Sequence, residues 1–573
     1  MCPPPVNLYP NRTGLEGMLA QQLSELGLTS LLFGVLPDGW DSPKQSDDVL
    51  SLFEWSLESR GLASSSIPQS ANRRRLVRRS VAKAENHRQA TADPVKPRTG
   101  RDDDEFCLVG STMLAPIAAS LLLFTSGQDP RLAGSLRQDR AGWIYVRLAG
   151  DPEQVGFQQG YWLKPEIEEM LRDAQVTEDH QAAPGKPSAF TDHRTEAMRL
   201  LWPKVPAEYR QEIEGIAKGV AARGSSLKLS DIVYNALATD LQYYLDWRKT
   251  QTKKPGASAT GAPNHCSAFI ATGSATKDGK IVMGHNCWSD YVSGEHNNVI
   301  LDIRPQHGSH ILMDSFPGHI DSGDDFAINS AGIMITETTI DSFVGFNPKG
   351  VPEAVRMREA IQYSETISDV VRWFTEDNNG AYANMWLIGD TKSNEIASLE
   401  LGLKNVAFHR TSDGAITSCN CPIDPKLTSE ECIFDAKKSS NMSSDRQARW
   451  AALMDRDRGK IDAELGKAYL GDHWNAILGQ SGASLSTLCG HGEVESRPDH
   501  SDGQHPFSAM GAVQGKVVTT GLASKMSFWA RMGHPCGEPF VADAFLKAHP
   551  EYAWQKSILG DMPTQPWTLF ASK

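Results

Sequence analysis

Two periods alternate along this chain, and the change between them falls near residue 266. Trp143-Ile-Tyr-Val-Arg-Leu148 alternates like a strand. Gly156-Phe-Gln-Gln-Gly160 reads as a turn leading into a helix over Pro165 to Leu171. Residues 207–222 place Ile213, Ile216, Ala217 and Val220 at helical spacing, and Gly224 is a stop signal. Leu229-Ser230-Asp231 caps a further helix running through Ile232, Val233, Leu237 and Leu241. Residues 249–264 form a polar loop rich in Pro and Gly.

Beyond that loop the period becomes that of strands. Ser267–Thr272 and Ile281–Gly284, joined by the turn Lys277-Asp278-Gly279-Lys280, predict a hairpin. Strands follow at 298–303, 310–313 and 332–336, then a helical stretch at 353–375 and strands at 385–388 and 395–400. Helices come first, then antiparallel strands with helices inserted. There is no βαβ rhythm, no internal repeat and no Gly-rich phosphate loop, so the pattern predicts an α+β fold and argues against nucleotide-dependent chemistry.

Charge separates the N-terminal part from this body. Residues 60–101 carry eleven Lys/Arg against two acids, with the dense run Arg73-Arg74-Arg75-Leu76-Val77-Arg78-Arg79. Such composition predicts a solvated, disordered arm, with an anionic-surface tether as the alternative. The apolar run Met113–Thr125 has the length of a signal-peptide core, not of a membrane span. Asp102-Asp103-Asp104-Glu105 precedes it where positive charge is expected. A true start near Met113 would mean export (secreted, periplasmic or lysosome-like); the alternative is a short buried helix. The expected organisation is an arm at 1–130, a helical part at 131–265 and a strand-rich part at 266–573.

The whole chain has 573 residues, 57 Lys+Arg, 70 Asp+Glu and a net charge of −13. Such an acidic balance lacks the basic face that nucleic acid requires. No apolar run reaches the ~18–20 residues of a transmembrane helix. The nine cysteines are too sparse for a disulfide scaffold, and their odd number leaves at least one thiol unpaired.

Chemistry concentrates at Cys266, between the polar loop and the first strand of the hairpin. A hairpin of this length returns His285-Asn286-Cys287-Trp288 beside it. Thiol chemistry needs a proton acceptor and donors for a developing oxyanion, and both fit there. Cys419-x-Cys421, Cys432 and Cys489-Gly-His491 are the residue types of a zinc set, but their spacing is not that of paired knuckles. No metal or cofactor is assigned, and a disulfide from Cys432 to one of the others is the oxidised alternative.

The ordered set Cys266-Ser-Ala, Gly284-His-Asn-Cys-Trp288, Phe316-Pro-Gly318 with Asp324-Asp325-Phe326, Glu337-Thr-Thr-Ile340, and Tyr382-Ala-Asn-Met-Trp386 with Asp390 resembles the phospholipase B-like proteins. These group with C45-type autoproteolytic acyltransferases and hydrolases, all N-terminal-nucleophile (Ntn) hydrolases. The likeness spans roughly residues 140–570. It implies a four-layer αββα sandwich made as a precursor and cut between His265 and Cys266. Cys266 would be the nucleophile, with its freed α-amine as base. It further implies that His285 and Trp288 flank the nucleophile, Thr339 lines the site, Asn420 donates to the oxyanion, and Arg446 lowers the thiol pKa, with Arg449 competing for that role. The substrate would be a small acylated molecule, a lipid ester or an N-acyl amide. The alternatives are a C45-type amidase or acyltransferase, and a non-catalytic binding protein on the same fold. His265 before the nucleophile, and Cys419 and Cys421 around Asn420, depart from the family pattern.

Overall fold

In the computed structural model the described residues are 129–182, 185–252, 266–323, 326–433, 442–476, 478–495 and 509–572. The chain divides into two units, Met1–Ile117 and Ala118–Lys573, and every described residue belongs to the second. The basic run, the apolar stretch 113–125 and His265 lie outside the described residues.

Seventeen strands are described: β1 (Leu136–Arg140), β2 (Trp143–Gly150), β3 (Ser267–Thr272), β4 (Val282–Asp290), β5 (Val299–Pro305), β6 (Ile311–Ser315), β7 (Ala327–Asn329), β8 (Ile333–Thr339), β9 (Asn384–Asp390), β10 (Glu395–Leu401), β11 (Val406–Thr411), β12 (Gly414–Ser418), β13 (Trp474–Asn475), β14 (Gln480–Ser481), β15 (Met510–Thr519), β16 (Ser527–Met532) and β17 (Thr568–Ala571). They form a nine-stranded sheet ordered β1-β2-β5-β6-β7-β8-β9-β10-β11, a six-stranded sheet ordered β12-β3-β4-β15-β16-β17, and the small pair β13-β14. Neighbours are antiparallel except β2 and β5, which run parallel across the helical segment between them. The helical part therefore also contributes two strands to the larger sheet.

The strands of both sheet centres are apolar on both faces because each face meets a different layer. Ile333 and Ile335 of β8 pack with Ile167, Ile213 and Ile232 from the helices, whereas Met334 joins Ile270, Met283 and Phe528 between the sheets. Phe269 and Ala271 of β3 turn the other way, against Trp450, Leu453 and Tyr469. The α+β class expected from the sequence is the class found. One ion pair crosses the layer between the sheets: Lys516 Nζ lies 2.7 Å from Asp314 Oδ2, both fully buried. Gln514 Nε2 and Ser322 Oγ also donate to that carboxylate, at 3.0 and 2.6 Å, as a buried charge requires.

The Gly156–Gly160 stretch is not a turn but the middle of a helix, Pro152–Trp162, capped by Asp151, whose carboxylate accepts from Gln154 N at 2.9 Å. Its glycines serve close approach. A Cβ on Gly156 would lie 1.8 Å from the Glu212 carbonyl oxygen, and one on Gly160 would lie 2.1 Å from that of Ile216. Gly215 and Gly219 of the facing helix, Ala207–Ala222, are equally tight against Glu153 and Phe157. The local turn signal was overridden because four glycines let two backbones touch. The helix expected through Leu241 is divided at Leu237 into Leu229–Ala236 and Ala238–Thr252, the second running into the predicted loop. The stretch 353–375 is likewise divided, Glu353–Tyr363 and Ile367–Thr375, because Thr366 caps the second helix in a reciprocal box with Asp369.

Candidate active site around Cys266

Cys266 is the residue before β3 and is buried. In the β3–β4 register Ser267 pairs with Asn286 and Ala268 with His285, so the returning strand delivers His285, Cys287 and Trp288 to the thiol. The hairpin expected from the sequence thus performs the juxtaposition inferred for it. The Cys287 thiol, hydrogen-bonded to the Cys266 sulfur, does most to hold the Cys266 thiol well below the usual thiol range. Burial opposes this. The His285 bond and charge and the Trp288 backbone N–H favour the thiolate.

Glu337 completes the cluster. Its carboxylate, the Cys266 sulfur and a His285 ring nitrogen all lie within 4.8 Å of one another. The Tyr382 hydroxyl donates to Glu337 Oε1 at 3.0 Å. Glu337 and Tyr382 stand in the sequence motifs without a role of their own, Thr339 being the member of that block expected to line the site, and Cys287 likewise has none there. The signal was present, since Glu337 and Thr339 are two apart in a strand and share a face. Thr339 pairs directly with Asn384 of β9. The Thr339 hydroxyl and both polar atoms of the Asn384 amide are buried with no hydrogen-bond partner among the described residues.

Asn420 and Arg446 meet at the same place from distant parts of the chain. β12 ends at Ser418, and Asn420 adopts a left-handed backbone with φ +75°. The backbone is therefore not extended through 419–421. The Asn420 amide donates from Nδ2 to the Thr339 carbonyl at 2.8 Å, and its Oδ1 accepts from Arg446 Nη2 at 2.9 Å. Arg446, fully buried on the helix Met442–Arg456, also donates from Nη1 to the Cys266 carbonyl oxygen and to Ser267 Oγ, the latter at 3.0 Å. Its guanidinium carbon stands 4.6 Å from the centre of the Trp288 ring. Burial pulls this guanidinium below its ordinary pKa, while the Cys419, Cys421 and Cys266 sulfurs and the Asp341 carboxylate act the other way. Arg449 is elsewhere, in a two-bond pair with Asp472 at 2.9 and 2.6 Å.

The zinc set considered from the sequence is not assembled. Cys419 donates to Ser443 O at 3.1 Å and Gln447 Oε1 at 3.0 Å, and Cys432 bridges to the Phe343 backbone. Both carry free thiols.

Comparison with known proteins finds likeness to the same family as the motifs. Residues 178–407 match the phospholipase B family. Human phospholipase B-like 1 is 25% identical over 295 residues, 47% of this chain and 51% of that protein. Crotalus adamanteus phospholipase B is 26% identical over 298 residues, 47% and 52% of the two chains. Dictyostelium discoideum phospholipase B-like protein F is 26% identical over 207 residues, 32% and 36%. The chain matches about half, or less, of the length of these curated relatives. Over the matched residues the chain is similar to the phospholipase B-like proteins. Cys266, His285, Trp288, Glu337 and Thr339 fall inside the matched residues; Asn420 and Arg446 lie beyond them.

Proposed function

We propose that this protein is a self-processing cysteine hydrolase of the Ntn type that releases acyl groups from lipids through a Cys266 thioester. The observation carrying this reading is the Cys266 thiol itself, buried at a strand start and biased toward thiolate by Cys287, His285 and the Trp288 N–H. One apolar cluster joins the helical part to the larger sheet, a second lies between the two sheets and a third joins the smaller sheet to the later helices, and this packing supports the reading. Among the described residues no helix is long and apolar enough to cross a membrane. The likeness to the phospholipase B-like proteins supports an acylated small molecule as substrate.

In processing, the Cys266 sulfur attacks the His265 carbonyl carbon. The peptide C–N bond breaks, the nitrogen takes a proton, and water hydrolyses the thioester. The α-amine left on Cys266, with a reference pKa of ~7.7–8.0, is then the base that takes up the thiol proton. In turnover the thiolate attacks the acyl carbonyl, and the leaving group accepts the ammonium proton. Water, deprotonated by the same amine, releases the acid. Arg446 fixes Asn420 through Oδ1 and the Thr339 carbonyl takes one hydrogen of Nδ2, which leaves the other N–H of the amide as a donor to the tetrahedral oxyanion. The unpartnered Thr339 and Asn384 groups offer further polar contacts to a bound acyl group.

Intact mass of the purified protein tests the first step. Pieces meeting at His265–Cys266 are expected, and a single uncut chain from Cys266→Ala. Fatty-acid release from phosphatidylcholine vesicles, set against release from an N-acyl amide, tests the second. A Cys266→Ala protein still cut at that bond would remove self-processing. Turnover of the amide alone would make the protein an amidase.

A further inference from the structure

Next to the loop that packs against the Trp288 ring, four metal-ligating side chains converge. His473, Cys489, His491 and Cys536 place one ligand atom each within 4.8 Å of every other. They come from three separate stretches: the exit of the helix Ala463–Leu470, the loop before the 3-10 turn Gly492–Val494, and the loop after β16. We propose that they form a closed, structural Cys2His2 zinc site. This inference does not depend on the acyl-hydrolase reading.

The spacing is that of a tetrahedron. Bonds of about 2.0 Å to nitrogen and about 2.3 Å to sulfur put two ligand nitrogens about 3.3 Å apart, and nitrogen and sulfur about 3.5 Å apart. Here His473 Nε2 and His491 Nε2 are 3.1 Å apart. The Cys489 and Cys536 sulfurs lie 3.4 and 3.5 Å from the same His491 nitrogen. The surroundings fix the tautomer. His491 Nδ1 faces Glu493 Oε1 at 2.7 Å, so Nδ1 carries the proton and the Nε2 lone pair points into the cluster. Glu493 is itself held by the Tyr291 hydroxyl and lies 3.5 Å from His534 Nε2. This is the carboxylate–histidine arrangement that orients a metal ligand. Binding displaces one proton from each thiol, so two thiolates balance the dication.

Such an ion would hold the wall of the neighbouring site. The Leu488 carbonyl accepts from Asn286 Nδ2 at 2.9 Å, and Gly490 lies so close to Trp288 that a Cβ there would be 2.0 Å from the ring. Both residues belong to the loop that carries Cys489 and His491. Sequence reading found Cys489-Gly-His491 but paired it with the wrong cysteines, because His473 and Cys536 join it only through the tertiary fold.

The full chain, purified after expression with zinc, should carry one zinc ion per molecule by elemental mass spectrometry. Cys536→Ser and His473→Ala, on the partly exposed side, should each lower bound zinc ~10-fold or more, and Glu493→Gln should weaken zinc binding ~10–100-fold. Cobalt exchanged into the wild-type protein should show the visible bands of a tetrahedral site together with thiolate-to-cobalt charge transfer. That spectrum decides the matter if the variants fail to fold. A metal-free wild-type protein lighter by two hydrogens, with Cys489 and Cys536 joined, would overturn the proposal. So would a cobalt spectrum without thiolate charge transfer, or zinc content unchanged in folded variants.

Discussion

Arg446 donates to the main-chain carbonyl of Cys266 from a helix 180 residues further along the chain. The same guanidinium holds Asn420 Oδ1 at 2.9 Å and covers the Trp288 ring. One planar, five-donor group thus sets the relative positions of the Cys266 backbone, the Asn420 amide and the Trp288 ring.

Lysine cannot reproduce that fork. Arg446→Lys is expected to lower turnover ~10-fold or more, while Arg449→Lys, which loses only a partly exposed pair with Asp472, should stay within ~2-fold. Steady-state kinetics on both variants check the ranking, and the reverse order would assign the wrong arginine.

Asn420 carries two separable features, an amide and a left-handed backbone. Asn420→Gly removes only the amide and relieves any strain, whereas Asn420→Ala removes the amide and places a Cβ at φ +75°. Both should reduce kcat by ~10²–10³, the loss for one oxyanion donor. Urea unfolding should show the alanine variant ~1 kcal/mol less stable than the glycine one. Unchanged kcat in the glycine variant would take Asn420 out of the site.

The depressed pKa of Cys266 has a sign in both rate and stability. The thiol titrates lower in the folded protein than the ~8.5 of a free thiol, so the thiolate's contribution to stability is complete above that value. It is lost as pH falls through the folded-state pKa. The rate should rise with pH along the same limb, and Cys287→Ala, which removes the foremost cause, should move the limb to higher pH. The sulfur and the freed amine titrate together, so the apparent value belongs to the pair. A limb that stays in place would assign the depression to His285 instead.

Gly156→Ala should destabilise by ~1–3 kcal/mol or more, because its Cβ would enter the Glu212 backbone at 1.8 Å. Gly482→Ala, with no atom within 4 Å, should change stability by less than ~0.5 kcal/mol. Denaturant midpoints compare the two, and equal midpoints would mean the helices separate without cost.

Period and local chemistry made most elements readable. β3, β4, β8, β9 and β10 and the helix Ala207–Ala222 lie where alternation or helical spacing put them. Gly224, at φ +80°, follows that helix's end as its stop signal said. The hairpin length sufficed to bring His285 to Cys266. Gly156 and Gly160 misled, because a glycine that breaks a helix and one that lets two helices touch are the same letter. The cut between Leu229–Ala236 and Ala238–Thr252 carries no breaker at all.

What the sequence by itself determined was the candidate thiol Cys266, its hairpin partners and the ordered motifs, since these depend on separations of about twenty residues and on side-chain type. Only the tertiary structure set Arg446 beside Cys266 and Arg449 apart from it, added Glu337 to the thiol, and joined Cys489 and His491 to His473 and Cys536. Those choices depend on how the two sheets and the helix Met442–Arg456 pack. A side chain's neighbours across a packed layer are set by apolar burial along the whole chain, which no local spacing records.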